Sequence, residues 1–213
     1  MDLARLVPSG EVIGVDVNES WLEQARKLAT KAGIKNVRFI KGDVLQLDEF
    51  QDESFDIVHA HQVLLHVSDS LFALQEMRRL CRSDGGIVTT RDLVSQIIIP
   101  SSPIISNMMT EVSSLMRSRG ADLEFGRVHH LQAHEAGFDW ADIEMSSCVW
   151  EFSRPEDRSA WAEGMKQSYK HAVTSSGKAT EEQVAETMAA WDHWAQDPSA
   201  RFIGVDSALV CHK

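Results

Sequence analysis

Short apolar runs, separated by charged, capping or glycine-rich positions, mark out an alternating order of strands and helices. Residues 11–16 (Glu-Val-Ile-Gly-Val-Asp) form an apolar strand that ends on an acid. Asn18 opens a helix to about Ala32. Its Trp21, Leu22, Ala25, Leu28, Ala29 and Ala32 recur at the spacing of one buried face, and Gly33 is a C-terminal stop. Residues 37–40 predict a short strand followed at once by Gly42-Asp43, and residues 55–60 a further strand after a polar loop. Residues 69–81 read as a helix with Ala73, Met77, Leu80 and Cys81 on one side, and Asp84-Gly85-Gly86 turns into a strand at 87–90. This β–α–β order predicts a largely parallel α/β sheet with helices on both faces.

Beyond Arg91-Asp92 the pattern changes. Residues 93–106, rich in Ile, Ser and Pro, read as a loop. Helices are expected at 108–119 and 131–136, and the last two strands at 143–152 and 202–211. Between those strands lie two helices, about 155–173 and 180–196, rich in tryptophan (Trp161, Trp191, Trp194). This insertion, about 153–201 of a single domain, stands where a lid or substrate wall would be. The plainer reading makes its tryptophans core.

The 213 residues fit one domain, and 43% hydrophobic residues suffice for a core. A net charge of −11 without a basic stripe argues against nucleic acid and against an anionic membrane surface. Three scattered cysteines, with no CxxC pair, suit reduced thiols in a cytoplasmic compartment. No apolar run reaches the ~18 residues of a membrane span.

The strand at 11–16 has the form of the second strand of a nucleotide-binding unit, an apolar run ending on an acid before a helix. Only ten residues precede it, whereas a first strand, its glycine-rich turn and a helix need about 30. Residues 2–7 look like the end of that helix, and Pro8-Ser9-Gly10 like its exit loop.

The chain resembles the class I S-adenosylmethionine-dependent methyltransferases, and more closely their ubiquinone/menaquinone C-methyltransferase-like branch. The matching runs are 11–16 with 21–26, Gly42-Asp43-Val44, Phe55-Asp56-Ile57-Val58, 63–67, 80–86 and the Glu135-Ala-Gly-Phe138 turn. The resemblance covers about residues 2–152. It implies a Rossmann-like sheet with an antiparallel last strand, S-adenosyl-L-methionine as cofactor and methyl transfer to a small-molecule acceptor such as a quinone-like compound. The family's central first strand and Gly-rich turn have no counterpart. The chain alone is therefore expected to be inactive, with a broad or absent thermal transition, unless the family's second and fourth strands close up and pair. The alternative function is a non-catalytic binding or scaffold protein, or a relative recruited to a reaction without methyl transfer. An NAD-dependent enzyme needs a GxGxxG that is absent.

Asp16, at a strand end, is an acid that can accept two hydrogen bonds from a ribose diol. The resemblance makes it the ribose-binding acid, and otherwise it is a cap beside Asn18. Asp43 can accept from an adenine amino group while the backbone of Val44 meets a ring nitrogen, or it is an ordinary Gly-Asp turn. Gln62 follows the strand at 55–60, where open sheets bind ligands, and the resemblance lays it along the cofactor's methionine part. Asp16, Asp43 and Gln62 are expected to line one cleft. His61 and His66 are the catalytic candidates, each with a purely structural alternative. His129, His130 and His134 form a second cluster, read mainly as a surface loop. No metal site is expected, since no cysteine or acid completes a ligand set. The insertion and loop 93–106 are expected to cover the acceptor side.

Overall fold

The computed structural model describes residues 2–177 and 179–213. A short helix, α1 (Asp2–Leu6), leads into β1 (Val12–Asp16). Asn18 caps α2 (Glu19–Lys31), its side-chain oxygen accepting from the Ser20 amide at 2.9 Å, which satisfies an amide the helix leaves unpaired. β2 (Val37–Lys41) runs parallel to β1, from Val12↔Val37 to Asp16↔Lys41. Arg26 donates from α2 to the Phe39 carbonyl at 2.9 Å and so fastens the helix to the pair.

The remaining strands are β3 (Ile57–His61), β4 (Ile87–Ile99), β5 (Ile143–Phe152) and β6 (Arg201–His212). They form a second sheet in the order β3-β4-β6-β5. β3 and β4 are parallel, and β6 is antiparallel to both β4 and β5. Three strands thus share one direction and the last runs against them, as the resemblance implies. The helices are α3 (Ser70–Leu80), α4 (Pro103–Ser118), α5 (His129–Glu135), α6 (Pro155–Ser176) and α7 (Glu181–Gln196).

The expected loop at 93–106 is corrected. β4 continues to Ile99 because β6 offers a partner along its whole length, from Ile87↔His212 to Ile99↔Arg201. A bulge between Leu93 and Ser95 breaks the in–out alternation that would have marked a strand. Beyond it, Ile97, Ile98 and Ile99 suit a pleated surface. Ser102 then caps α4, with Pro103 in its first turn, so this helix begins five residues before the expected 108.

Two apolar clusters hold these elements. In the first, Ala60, Val88, Leu209 and Cys211 of the sheet pack on Leu74 and Met77 of α3 and Ala133 of α5. In the second, Ile105 and Met108 of α4 meet Trp191 and Trp194 of α7 and Phe202 of β6. The plainer reading of the insertion's tryptophans holds for Trp191 and Trp194, both buried. Trp194 donates its indole N–H to the Ile99 carbonyl at 2.9 Å, tying the insertion to the tip of β4.

β1 and β3 do not pair with each other, and each has a hydrogen-bonded neighbour on one side. Val15 on β1 and Ile57 on β3 are exposed. The connection from β2 to β3 spans the two sheets without a helix. Val44 and Leu45 pack on the first cluster. Arg79 of α3 grips the same connection, donating to the carbonyls of Leu47 and Phe50 at 3.1 Å each and to Asp52 at 2.7 Å. Its Nε binds Glu76 at 2.8 Å.

Two glycines give opposite expectations. A Cβ on Gly204 would lie 2.3 Å from the Trp150 ring, whereas one on Gly164 in α6 meets open space. Gly204→Ala should cost about 1–3 kcal/mol through overpacking. Gly164→Ala should add about 0.5–1 kcal/mol by restricting the unfolded chain. Urea unfolding followed by tryptophan fluorescence reads both, and a Gly204→Ala chain as stable as its parent would contradict this packing.

Candidate functional site

The first group of expected site residues lies at the carboxyl end of the β1–β2 pair. Gly14 is required there, because a Cβ would meet the Phe39 ring at 2.8 Å. Asp16 closes β1, and its Oδ1 accepts from the Asn18 amide at 2.8 Å. The Gly42 amide, just past β2, donates to the Asp16 carbonyl at 3.1 Å, which holds the residue before Asp43 against the end of β1. The Asp43 Oδ1 accepts from Leu45 N at 2.9 Å, and its carbonyl accepts from Gln46 N at 2.8 Å. Both acids therefore do the local turn-forming work of the plainer reading. Both are also exposed, and the second oxygen of each has no such bond among the described residues. Val44 points the other way, into the first apolar cluster.

The second group lies at the carboxyl end of β3. Gln62 adopts φ 50°, a left-handed conformation that costs a non-glycine residue about 1–2 kcal/mol. Its amide donates to the Arg91 carbonyl at 2.7 Å. Its side-chain nitrogen lies 3.4 Å from each oxygen of Asp206, which also accepts from Arg91 Nε at 2.8 Å. Asp206 is fully buried. His61 is exposed beside this cluster. Desolvation and the nearby Arg91 charge lower its pKa, while Asp206 raises it. His66 ends the 3-10 turn Leu64–His66, is exposed at the surface, and forms no part of the Asp206 cluster.

The structure thus bonds Asp16 to Gly42, the residue before Asp43, and sets Gln62 and His61 at the end of a strand in the other sheet. Arg91, Asp92 and Asp206 were not singled out in the sequence. The signals were an Arg-Asp pair closing an apolar strand and a lone acid inside the apolar run 202–211.

The expected surface loop around His129 is corrected. His129 is fully buried, between Thr90 Oγ1 at 3.3 Å and Ser207 Oγ at 2.9 Å, which ties α5 to β4 and β6. Burial pulls its pKa down to about 4, and it is a neutral structural bridge. His134 stacks on Trp140 with ring centroids 4.3 Å apart. His59 sits within β3, its Nδ1 2.6 Å from Thr89 Oγ1.

Beyond Asp92, a cavity of about 370 Å³ opens between the outer half of β4 and α4. Leu93, Met109 and Leu123 give it apolar walls, Thr110, Ser113 and Ser114 hydroxyls, and Arg117 and Glu124 charge.

Asp92 is fully buried, with Oδ1 accepting from Leu65 N at 3.2 Å and Oδ2 without a partner. Burial pushes its pKa up to about 7. The Leu65 amide opposes that shift and the nearby Asp206 charge adds to it. Between about pH 4 and 7 the fold therefore holds a proton that the unfolded chain has released, and stability falls as pH rises through this window. Asp92→Asn keeps an acceptor for the Leu65 amide and removes the titration. The variant should gain on its parent as pH rises, by up to about 4 kcal/mol at pH 8. Denaturant unfolding at about pH 4.5 and 8 measures the difference, and an equal gap at both would mean that Asp92 does not titrate there.

The comparisons with known proteins agree with this architecture. A family model described as a methyltransferase domain matches residues 1–149. An uncharacterized methyltransferase of Schizosaccharomyces pombe is 29% identical over 222 residues, covering 98% of this chain and 78% of that protein. The demethylmenaquinone methyltransferase of Staphylococcus aureus is 37% identical over 101 residues, 47% of this chain and 39% of that one. Among solved structures, phosphoethanolamine N-methyltransferase 2 of Haemonchus contortus, in complex with phosphomonomethylethanolamine and S-adenosylhomocysteine, superposes with a TM-score of 0.53 at 18% identity. That match covers 99% of this chain and 46% of that one, so the chain spans less than half of the longer protein.

Proposed function

Because the chain belongs to the methyltransferase-domain family, whose cofactor is S-adenosylmethionine, we propose that it transfers a methyl group to a small, partly apolar acceptor. The observation that carries the reading is the Gly42–Asp16 backbone bond, which holds two exposed acids at neighbouring strand ends, each with an uncommitted oxygen. That donor set fits an adenosine. Asp16 accepts from the ribose diol, Asp43 from the adenine amino group, and the backbone of Val44 faces a ring nitrogen. Gln62 lies along the methionine part.

The bound cofactor supplies a sulfonium-activated methyl group, so the protein's part is chiefly alignment of acceptor, methyl and sulfur. His61, whose pKa desolvation and Arg91 lower against the pull of Asp206, takes a proton where the acceptor must lose one, and His66 is the second candidate. The acceptor's place is the cavity between β4 and α4, backed by the helical insertion. Its mixed walls suit a small molecule with an apolar body and a few polar groups. The three cysteines are free thiols and, among the described residues, no helix is long and apolar enough to cross a membrane. The free thiols suit a cytoplasmic location, and the net charge of −11 favours a small-molecule acceptor over nucleic acid.

The ribose contact is the same in the ground and transition states, so its loss is uniform. Asp16→Ala should weaken S-adenosylhomocysteine binding about 10–100-fold, the worth of hydrogen bonds to a charged group, and leave turnover at saturating cofactor nearly unchanged. Calorimetric titration against the parent measures this, and an unchanged Kd would remove Asp16 from the site. Filling the cavity with Ser113→Trp should abolish acceptor turnover and spare cofactor binding. Loss of cofactor binding with acceptor choice intact would move the acceptor elsewhere.

A further inference from the structure

Asp206 is a fully buried acid on β6, 144 residues from Gln62 in sequence, and it serves Gln62 and Arg91 together. An ion-paired carboxylate only accepts hydrogen bonds. It therefore dictates which end of the Gln62 amide faces inward: the nitrogen lies 3.4 Å from both Asp206 oxygens, and the carbonyl oxygen is left free. The same carboxylate takes the Nε of Arg91 at 2.8 Å. The guanidinium is about a third exposed, and its two terminal nitrogens have no hydrogen-bond partner among the described residues. One buried acid thus sets a free acceptor and a free pair of donors side by side at the carboxyl end of β3 and β4. The left-handed turn at Gln62, bonded through its own amide to the Arg91 carbonyl, keeps the two residues together.

A neighbouring acceptor and guanidinium fork complement a group carrying an ammonium and a carboxylate. We propose that Asp206 is a positioning residue that orients Gln62 and Arg91 to receive a zwitterionic α-amino-acid group, the ammonium at the Gln62 carbonyl and the carboxylate at the Arg91 fork. This rests on the cofactor reading above and assigns the amino-acid end of that cofactor to these three residues. The balance of charge favours it: Asp206 neutralises Arg91, so a simple anion gains little, whereas a zwitterion matches both free ends.

The test compares two ligands that share a nucleoside and a thioether. S-adenosylhomocysteine has the amino-acid end and 5′-methylthioadenosine lacks it. Asp206→Asn should weaken binding of the first by about tenfold or more and leave the second unchanged, by calorimetry on the full chain. Gln62→Leu changes only a partly exposed side chain and should show the same split, which keeps the inference testable if the buried variant folds poorly. Equal losses for both ligands would make Asp206 merely structural and overturn the proposal, as would no loss for either. A parent chain that binds neither ligand overturns the cofactor reading itself and this inference with it.

Discussion

The antiparallel ladder of β6 is the constraint on which the rest of the structure depends. This strand of 12 residues is bonded to β4 on one side and β5 on the other. Its length makes β4 a 13-residue strand where the local pattern reads as a loop. Its inward residues serve both apolar clusters, Leu209 and Cys211 in one and Phe202 in the other. It also delivers Ser207 to His129 and Asp206 to Gln62 and Arg91. These are polar groups far apart in sequence, and their burial is tolerable because each finds a hydrogen-bonding partner, Ser207 on α5 and Asp206 on β4 and at the end of β3.

A second linkage joins the two sheets. The β2–β3 connection buries Leu47 and lays Val44 and Leu45 on the first cluster. Arg79 satisfies two of its carbonyls while paired with Glu76 and Asp52, and those partners hold its guanidinium firmly charged. A planar fork with five donors suits this task better than a lysine would. The connection that follows Asp43 is thereby fastened to α3, the helix that packs on Ala60 of β3.

Local chemistry was the legible part. The cap at Asn18, the stop at Gly33 and the apolar spacing of α2 and α3 all depend on neighbours within a few residues. The ends of β5, β6 and the two insertion helices were close for the same reason. What depended on pairing across the chain was hidden. The outer half of β4 lacks alternation because of its bulge. His129 looks like a polar loop residue until Thr90 and Ser207 close around it. Asp206 reads as a blemish in an apolar strand and becomes meaningful only beside Gln62. The candidate site shares this division: Asp16 and Asp43 are placed at strand ends by their neighbours in sequence, whereas the contact of Asp206 with Gln62 and Arg91 depends on pairing across the chain.

The absence of pairing between β1 and β3 has a thermodynamic consequence. A sheet continuous across this line would resist separation through its own hydrogen bonds, but here the β1–β2 pair is a separate sheet, linked to the four-stranded one by the connection whose Val44 and Leu45 pack on the first cluster. Each half can thus open with some independence, the condition for sub-global unfolding. In the proposed site, a cofactor held at its nucleoside by Asp16 and Asp43 and at its amino-acid end by Gln62 would act as a cross-link between the halves. Its affinity would be reduced by the cost of bringing them together, and every complex formed would return that cost as rigidity of the whole chain.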